Sequence, residues 1–555
     1  MTREALAREA LAREALTREA LARDALARDA RRTRASRTTV ATGSGYDPRM
    51  RVAFIAAECE PWAKTGGLGD VVDALARALG RIPDGPAGLV DVFLPRYRSV
   101  PIPPQAKEAG EIDVPDPASA EGSAAVRVLE AETHGYRLRL IDHPAAFDRP
   151  EIYGYDDDVW RFGLFSRAAL EVLRRDAVPP DVLHIHDWHS CASAVFRDTL
   201  YASDPGLGRA ALLLTIHNLA YQGWTPREAF PQLGLPPNDR SVAPDPAGLD
   251  LLWAGIVRSE LVNTVSPGFA AEALTRRGGF GLDPALRWKG DRFFGILNGL
   301  DTEVWNPATD GDIPATYDRA DRSGKAVCRS NVLSELGLDP DDPGPVLGVI
   351  GRLDHQKGFD ILAEAADRVI LGGARLIVLG SGDPTIASQL RGVARGWPDL
   401  VAFVEKFDRA LARRIYAGSD FFVMPSRFEP CGQGQMIAMR YGTPPIVHRT
   451  GGLRDTVVDE TSNVGHGTGF VFDRPTPESL VDAVTRATAM FPGGDGATSP
   501  EWEGLQDRAM AVDFDWERSS APAYMAAYRR AVEIRRAGLE AGPRARPRAP
   551  LPRPG

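Results

Sequence analysis

The feature that most constrains the fold is the alternation of short apolar runs with longer helical stretches across most of the 555 residues. The runs are rich in Val, Ile and Leu and mostly lack polar alternation, as strands buried on both faces should. They fall at residues 52–56, 90–94, 182–185, 212–216, 262–265 and 295–297, and then at 346–350, 376–379, 401–404, 421–424 and 445–447. Strands separated by helices predict βαβ units in parallel sheets. Two series predict an α/β protein with two doubly wound, Rossmann-like domains.

A loose connection separates the two series. Asn306-Pro307 is followed by a stretch rich in Asp, Gly and Pro, which favours turns over regular structure. We therefore predict a domain boundary between Asn298 and Pro345. Ligands of such domains bind beyond the carboxyl ends of the strands, so an active site is expected in the crevice between the domains. The predicted organisation is a tail at 1–49, domains at 50–300 and 301–520, a final helix at 521–537 and a tail at 538–555.

Both tails have biased compositions. Residues 4–30 repeat with a period of five, in which Arg-Glu-Ala-Leu-Ala drifts to Arg-Asp-Ala-Leu-Ala. Successive leucines are rotated by about 140° on a helix, so they cannot form one buried stripe, and a solvated helix that packs on nothing is favoured. Transit peptides are poor in acids, unlike this segment, and we hypothesise that the working protein starts at Met50. The C-terminal tail, rich in Pro and Arg, is predicted to be disordered.

The overall charge limits the partners of the chain. Lys and Arg number 66 against 75 Asp and Glu, a net charge of −9 with a pI near 5.6, which disfavours nucleic acid as the main partner. The four cysteines lack CxxC spacing, which is typical of reduced thiols rather than a disulfide framework or a zinc site. No run approaches the ~20 apolar residues of a membrane span. No membrane partner is therefore expected, and a cytoplasmic location is predicted.

The segment at residues 58–70 is the first candidate for chemistry. It follows the first apolar run and contains Lys64, Gly66 and Gly67 before a helix predicted to begin near Asp70. Glycines let a ligand approach the backbone closely, and amide groups at a helix N-terminus favour phosphate. The lysine precedes the glycines, so this is neither a Walker loop nor a dinucleotide fingerprint. By spacing alone, a plain tight turn is about as well supported as an anion site.

A pair of cations follows the first strand of the second series. Arg352 and Lys357 lie five residues apart directly after the run 346–350. At the carboxyl end of a strand they can converge on one diphosphate, with the arginine as a bidentate fork and the lysine as a point charge. The alternative is a pair of solvated surface cations. Their placement after a predicted central strand favours a functional role.

A glycine-containing turn follows the run 421–424. Glu429 precedes the sequence Pro-Cys-Gly-Gln-Gly, which opens a predicted helix. Free amides at that helix N-terminus can bind an anion, and the carboxylate can accept hydrogen bonds from sugar hydroxyls. A carboxylate that merely caps the helix is the alternative. The segment 450–453 follows the next run and repeats the same pattern.

Histidines are concentrated in the first series. His184, His186 and His189 surround the end of the run 182–185, and His217 follows the next run. The trio lacks a cysteine partner and HExxH spacing, so a zinc site is disfavoured. A polar loop at the rim of a sugar-binding cleft is the preferred interpretation, because an aromatic face such as that of Trp188 can stack on a sugar ring.

These motifs, in this order, resemble the bacterial glycogen synthase and plant starch synthase family, retaining glucosyltransferases of the GT-B fold. The resemblance covers about residues 50–535. The residues that carry it are Lys64-Thr65-Gly66-Gly67-Leu68, His186-Asp187-Trp188-His189, His217 to Gly223, Asn298-Gly299-Leu300-Asp301, Gly351-Arg352-Leu353, Gln356-Lys357-Gly358, Glu429-Pro430-Cys431-Gly432 and Thr450-Gly451-Gly452-Leu453. By analogy with this fold, the final helix is expected to cross back to the first domain.

The resemblance implies transfer of glucose from ADP-glucose to the non-reducing 4-hydroxyl of an α-1,4-glucan, with retention of configuration and with no metal or other cofactor. It gives a catalytic role to His217, Arg352, Lys357 and Glu429. The donor is expected to be bound by Lys64, Gly66, Gly67, Asn298, Cys431, Gly432, Gln433, Gly434, Thr450 and Gly451. The sugar and acceptor subsites are expected to be lined by Glu58, Asp187, His189 and Asn218.

One departure and three alternatives accompany this resemblance. Gly434 stands where many relatives carry Thr, which removes a hydroxyl contact to phosphate and leaves the base preference open. A GT-B transferase that uses UDP-glucose or another acceptor is the first alternative. A catalytically silent glucan-binding protein is the second, and it is disfavoured by the presence of Lys64, His217, Arg352, Lys357 and Glu429. A phosphorylase is disfavoured because no lysine motif for pyridoxal phosphate is apparent.

Overall fold

The computed structural model describes residues 50–82, 90–116, 119–133, 135–235, 245, 247–492, 499–541 and 550. These residues all belong to one unit, Arg49–Gly555. The predictions for the tail at 1–49 and for most of the tail at 538–555 fall outside the described residues. Within them, no helix is both long enough and apolar enough to cross a membrane.

The first series of runs forms one nine-stranded sheet. Its order is β11-β10-β7-β6-β1-β2-β5-β4-β3, parallel throughout except at the β5-β4-β3 edge, where neighbours are antiparallel. The bounds are Val52–Ile55 (β1), Val90–Pro95 (β2), Lys107–Pro115 (β3), Ser123–Glu132 (β4), Arg137–Asp142 (β5), Val182–His186 (β6), Ala211–Ile216 (β7), Leu261–Thr264 (β10) and Phe293–Gly295 (β11). A separate antiparallel pair consists of Trp224–Pro226 (β8) and Gly248–Asp250 (β9).

The second series forms a six-stranded parallel sheet in the order β14-β13-β12-β15-β16-β17. Neighbouring side chains of one strand enter different apolar clusters, because successive residues point to opposite faces. Val346 packs in one cluster and Leu347 in the other. Both faces are therefore covered by helices, as in a doubly wound domain. The bounds are Val346–Ile350 (β12), Arg375–Leu379 (β13), Val401–Val404 (β14), Phe421–Met424 (β15), Pro445–His448 (β16) and Phe470–Phe472 (β17).

Helices connect the strands of both sheets. In the first half they are Gly67–Arg81, Pro144–Phe147, Asp158–Arg175, Asp187–Ser190, Ala192–Asp198, Leu251–Arg258, Pro267–Ala273 and Asp283–Lys289, with 3₁₀ turns at Leu207–Arg209, Arg227–Leu233 and Gly290–Arg292. In the second half they are Ser323–Glu335, Phe359–Leu371, Pro384–Gly396, Arg409–Gly418, Gly434–Arg440, Gly451–Thr456, Pro477–Thr488, Pro500–Ala511 and Ser520–Glu540.

The apolar runs predicted most of the buried parallel strands to within two residues, but they missed β17 and the β5-β4-β3 edge. Strands β3 and β4 alternate between buried and less buried residues over much of their length, since one face of this edge meets solvent. Strand β5 is buried almost throughout, but charged residues such as Arg139 interrupt its leucines. A search for continuous apolar runs misses such strands. The predicted fold class is confirmed, with two parallel α/β sheets in sequence.

The last helix crosses back to the first sheet, as expected. Tyr524 and Tyr528 are fully buried, and their hydroxyl groups lie 3.1 Å from Asn263 Nδ2 and 2.9 Å from His184 Nδ1 respectively. The helix ends at Glu540, so the prediction of a disordered tail from Gly538 is wrong for its first residues. A single glycine costs a helix only about 1 kcal/mol, and the first proline comes at Pro543.

Candidate active site

The candidate residues lie where each sheet reverses its strand order. In the first sheet, β1 is flanked by β2 and β6, and in the second, β12 is flanked by β13 and β15. The loops after β1, β6 and β7 carry the first group of predicted residues, and the loops after β12, β15 and β16 carry the second. Because parallel strands end at the same edge of a sheet, each group is collected at one edge, which is the usual ligand site of such domains.

The glycine loop after β1 is braced by Glu58. Its carboxylate accepts hydrogen bonds from the amides of Thr65 and Gly66, at 2.7 and 3.0 Å, and from the hydroxyl groups of Thr65 and Tyr153, both at 2.8 Å. Only 4% of the residue is exposed. Glu58 therefore holds the conformation of the glycine loop through these hydrogen bonds, whereas the resemblance implied that it lines a sugar subsite.

The glycines and the lysine of this loop are open to a ligand. A Cβ atom at Gly66 or Gly67 would meet no protein atom within 4 Å, so crowding by the protein does not require glycine there. Gly66 precedes the helix Gly67–Arg81, and no side chain in the described part of the chain caps the amides of its first turn. Lys64 is 39% exposed and lies 2.6 Å from Asp70 in that turn. The loop thus presents uncapped amides beside an ammonium group.

A strained turn after β6 holds the backbone of the loop after β7. Asp187 has a φ of +52°, a conformation that residues other than glycine adopt rarely. This conformation directs its Oδ1 to the amides of His217 and Asn218, at 2.7 and 3.3 Å. Burial raises the pKa of Asp187 to about 7. The resemblance implied a sugar-lining role for Asp187, and the structure shows it positioning the His217 backbone.

The side chain of His217 meets a buried row of histidines. Its Nε2 lies 3.1 Å from Nδ1 of His186, and the His186 ring stacks on that of His184 at 4.1 Å. The His184 nitrogens contact the hydroxyl groups of Thr215 at 2.7 Å and Tyr528 at 2.9 Å. Among the described residues, no group of three His, Cys, Asp or Glu side chains is arranged to hold a metal ion.

The aromatic residues after β6 pack inward. Trp188 is 8% exposed, so the expectation that its face stacks on a sugar is wrong. The ring of His189 is enclosed by those of Trp188, Tyr153 and Phe162, with centroids 4.2 to 4.8 Å away. Burial lowers the pKa of His189 to about 3. His189 is therefore a neutral member of an aromatic cluster. In the loop after β7, the side-chain carbonyl of Asn218 accepts a hydrogen bond from the Ala220 amide at 2.9 Å.

The second sheet contributes a partly buried ion pair. Nζ of Lys357 lies 2.7 Å from Oε2 of Glu429, which also accepts from the Ser426 hydroxyl at 3.1 Å. Glu429 is 5% exposed. In contrast, the side chain of Arg352 is 69% exposed, and among the described residues its ion-pair partner is Asp354 alone, at 3.5 Å. The two predicted cations therefore occupy different environments: Lys357 is paired with Glu429 and largely covered, whereas Arg352 is mostly exposed.

The turn after β15 has the form of an anion cradle. Gly432 has a φ of +75°, and Gln433 precedes the helix Gly434–Arg440 without capping it through its side chain. Cys431 is buried, and its thiol hydrogen-bonds the backbone of Asn298. Asn298 is itself buried, and its Oδ1 has no partner among the described residues. The turn therefore adjoins the segment that links the two sheets.

Gly434 faces the interior. A Cβ there would lie 2.9 Å from Cε1 of Phe422 and 3.3 Å from both Sδ of Met424 and Oη of Tyr416. In this chain, a side chain at 434 would therefore crowd these residues, and the space that a threonine needs is filled. This observation gives a physical reason for the departure noted in the sequence.

We expect Gly434→Ala to lower the free energy of unfolding by about 1–3 kcal/mol, the usual cost of overpacking. Urea unfolding followed by circular dichroism measures this change. Gly392→Ala is the matched control, because a Cβ at Gly392, also in a helix, meets nothing within 4 Å; it should leave the stability unchanged or raise it by up to about 1 kcal/mol. Equal stability of Gly434→Ala and the natural chain would contradict the packing argument.

Thr450 and Gly451, which the resemblance assigned to the donor, are engaged by the first half of the chain. The carboxylate of Glu272 accepts from the Gly451 amide at 2.8 Å and from the Thr450 hydroxyl at 3.2 Å. Nearby, the Ser266 hydroxyl donates to the carbonyl of Pro430 at 2.6 Å. These contacts form a seam between the two sheets rather than an open anion site. No local sequence pattern marks Glu272 or Ser266, because the seam depends on residues more than 160 positions apart in the chain.

Comparisons with known proteins agree with this geometry. Residues 51–288 match the family model for the starch synthase catalytic domain, and residues 344–489 match that for glycosyl transferases group 1. The glycogen synthase of Koribacter versatilis (strain Ellin345) is 38% identical over 493 residues, 88% of this chain and 99% of the relative. That of Anaeromyxobacter dehalogenans (strain 2CP-C) is 40% identical over 489 residues, 86% of this chain and 99% of the relative.

Solved structures give the same result. The catalytic domain of starch synthase IV from Arabidopsis thaliana, bound to ADP and acarbose, aligns with a TM-score of 0.79 at 35% identity, covering 87% of this chain and 100% of that one. Sucrose-phosphate synthase from Thermosynechococcus elongatus shares the fold, with a TM-score of 0.54 at 21% identity over 88% of this chain and 100% of that one. The chain therefore belongs to the glycogen synthase and starch synthase family, and it is a glycosyltransferase with the GT-B fold.

Proposed function

We propose that this chain transfers glucose from ADP-glucose to the non-reducing 4-hydroxyl of an α-1,4-glucan, with retention of configuration. The observation that carries the proposal is the pairing of Lys357 with Glu429, together with the exposed Arg352 in the same loop after β12 as Lys357. Together they supply two positive groups for a diphosphate and a buried carboxylate for sugar hydroxyls. The starch synthase IV structure, bound to ADP and acarbose, supports the same pair of ligand classes.

The chemistry follows from the charges that develop during transfer. A glycosyl transition state has oxocarbenium character, while negative charge grows on the departing diphosphate. Arg352, Lys357 and the amides of the turn after β15 are suited to stabilise that negative charge. His217, held by Asp187 and His186, is suited to contact the sugar. We propose that these fixed groups suffice and that activity persists in EDTA.

The direct test is incubation with ADP-[¹⁴C]glucose and glycogen, followed by counting of label in the precipitated polymer. Label in the polymer, with ADP-glucose used at least ~10-fold more efficiently than UDP-glucose, is the expected result. Preference for UDP-glucose would replace the proposed donor. Absence of label with either donor, together with retained binding of glycogen, would identify a silent glucan-binding protein.

Lys64→Ala is expected to raise KM for the donor about 10-fold or more while changing kcat little, because a charged hydrogen bond contributes about 1.5–3 kcal/mol and Lys64 is an exposed cation beside the glycines of its loop. Steady-state kinetics with varied donor measure both constants. Lys107→Ala, at another exposed lysine of the first sheet, is the control and should leave KM unchanged. A fall in kcat with unchanged KM would contradict a binding role for Lys64.

A further inference from the structure

His186 is buried directly behind the residue expected to contact the sugar. None of its surface is exposed, and its Nδ1 lies 3.1 Å from Nε2 of His217. The two rings are inclined by 34° with centroids 5.4 Å apart. A single proton must lie between these two nitrogens, since burial lowers the pKa of both histidines and keeps both rings neutral. One ring therefore donates and the other accepts.

The surroundings of His186 decide which ring donates. Its other nitrogen, Nε2, is buried and has no hydrogen-bond partner among the described residues. An orphaned buried N–H group is rarer in proteins than an orphaned acceptor, so the proton of the His186 ring belongs on Nδ1. In that tautomer His186 donates to Nε2 of His217. The neutral His217 ring then carries its own proton on Nδ1.

His186 is also held rigidly. Its ring stacks on His184 at 4.1 Å and lies 5.3 Å from the ring of Phe54. Its backbone amide donates to the hydroxyl of Ser190 at 2.7 Å. His184 is fixed in turn by Tyr528 of the last helix. These contacts restrict the His186 ring to one orientation, so its Nδ1 is directed at the His217 ring.

Two consecutive residues thus hold His217 in two different ways. Asp187 binds its backbone amide at 2.7 Å, and His186 binds its side chain at 3.1 Å. No described residue hydrogen-bonds Nδ1 of His217, and the residue is partly exposed. That N–H group is therefore available to a bound ligand.

We propose that His186 is a positioning residue that fixes the tautomer of His217, so that His217 presents its Nδ1–H as a hydrogen-bond donor to the hexose of the donor substrate. The second half of this statement rests on the proposed function. His186 acts only through His217 and does not itself contact the substrate.

The test combines tautomer detection with kinetics. Two-bond ¹H–¹⁵N spectra of the full chain labelled with [¹⁵N]histidine distinguish Nδ1–H from Nε2–H rings, and the His217 signals are assigned with His217→Gln. We compare His186→Leu, which removes the donor, with His186→Asn, whose amide nitrogen can replace Nδ1. The His186→Leu variant should lower kcat about 10-fold or more and abolish the single Nδ1–H state of the His217 ring. The His186→Asn variant should retain that state and a kcat within about 3-fold of the natural chain.

Several results would overturn the proposal. An Nε2–H ring at His217 in the natural chain would do so alone, whether or not His186→Leu folds. An unchanged tautomer and kcat in His186→Leu, or equal impairment of the Leu and Asn variants, would show that His186 only fills space. Because the spectra need no substrate, they separate this inference from the proposed function. A natural chain with the expected tautomer but without glucosyl transfer would reject the function and the hexose contact, while leaving the positioning role.

Discussion

Glu429→Ala is expected to lower kcat by about 100-fold or more, the range found when a preorganised group that acts on the transition state is removed. The substitution deletes the carboxylate that lies 2.7 Å from Nζ of Lys357. Lys357 then loses the partner that orients it, and the sugar loses an acceptor for its hydroxyl groups. Initial rates at saturating donor and glucan measure the effect.

The control for Glu429 separates chemistry from folding. Breaking a buried ion pair can destabilise a protein by about 3–5 kcal/mol, so thermal unfolding must accompany the kinetics. Ser426→Ala removes only the hydroxyl that donates to the same carboxylate at 3.1 Å, and it should keep kcat within about 5-fold of the natural chain. A folded Glu429→Ala enzyme with a kcat within about 3-fold would remove Glu429 from the site.

Arg352→Ala is expected to lower kcat by a similar factor of about 100, but without loss of stability. Its side chain is 69% exposed and lies 3.5 Å from Asp354, and such surface pairs contribute little to folding. The large effect arises only when the guanidinium group closes on the diphosphate during transfer. Kinetics and thermal unfolding on the same preparation test both parts.

Two variants sharpen the test of Arg352. Arg352→Lys keeps the positive charge but loses the bidentate fork, so its kcat should lie between those of the natural chain and Arg352→Ala. Arg368→Ala removes an arginine that is also exposed, on the helix Phe359–Leu371, and pairs with Glu478; it should leave kcat unchanged. An Arg352→Ala enzyme of normal turnover would show that this cation stays in solvent throughout the reaction.

The sequence located the loops of the site more reliably than the roles of their side chains. Arg352, Lys357, Glu429 and His217 all lie in loops that follow parallel strands, as the sequence predicted. The strands before Arg352, Lys357 and Glu429 lie where the second sheet reverses its order, and β7, before His217, is the neighbour of β6 in the first sheet. The resemblance implied sugar subsites for Glu58 and His189, yet both side chains are buried in contacts with other residues: Glu58 accepts hydrogen bonds from the glycine loop, and His189 packs among aromatic rings. A polar residue beside a strand end has the same sequence signature whether it points into the cleft or beneath a loop.

The tertiary structure also supplied partners that no local pattern shows. In the sequence His186 is only one of several histidines, because its contact with His217 depends on the pairing of β6 with β7. Glu272 reaches Thr450 and Gly451 across 178 and 179 residues of chain. Such contacts depend on the packing of whole elements, which a single sequence does not encode at any one position.

The sequence by itself determined the two parallel sheets, the order of their buried strands and the loops that carry the chemistry. These follow from local causes: apolar runs need burial on both faces, and glycines and prolines end elements where the backbone must turn. Only the tertiary structure decided which polar side chains remain available to a ligand. A donor or acceptor is unavailable to a ligand when a residue distant in the sequence already hydrogen-bonds it. Glu272 occupies the Gly451 amide in this way, and Asp187 occupies the His217 amide.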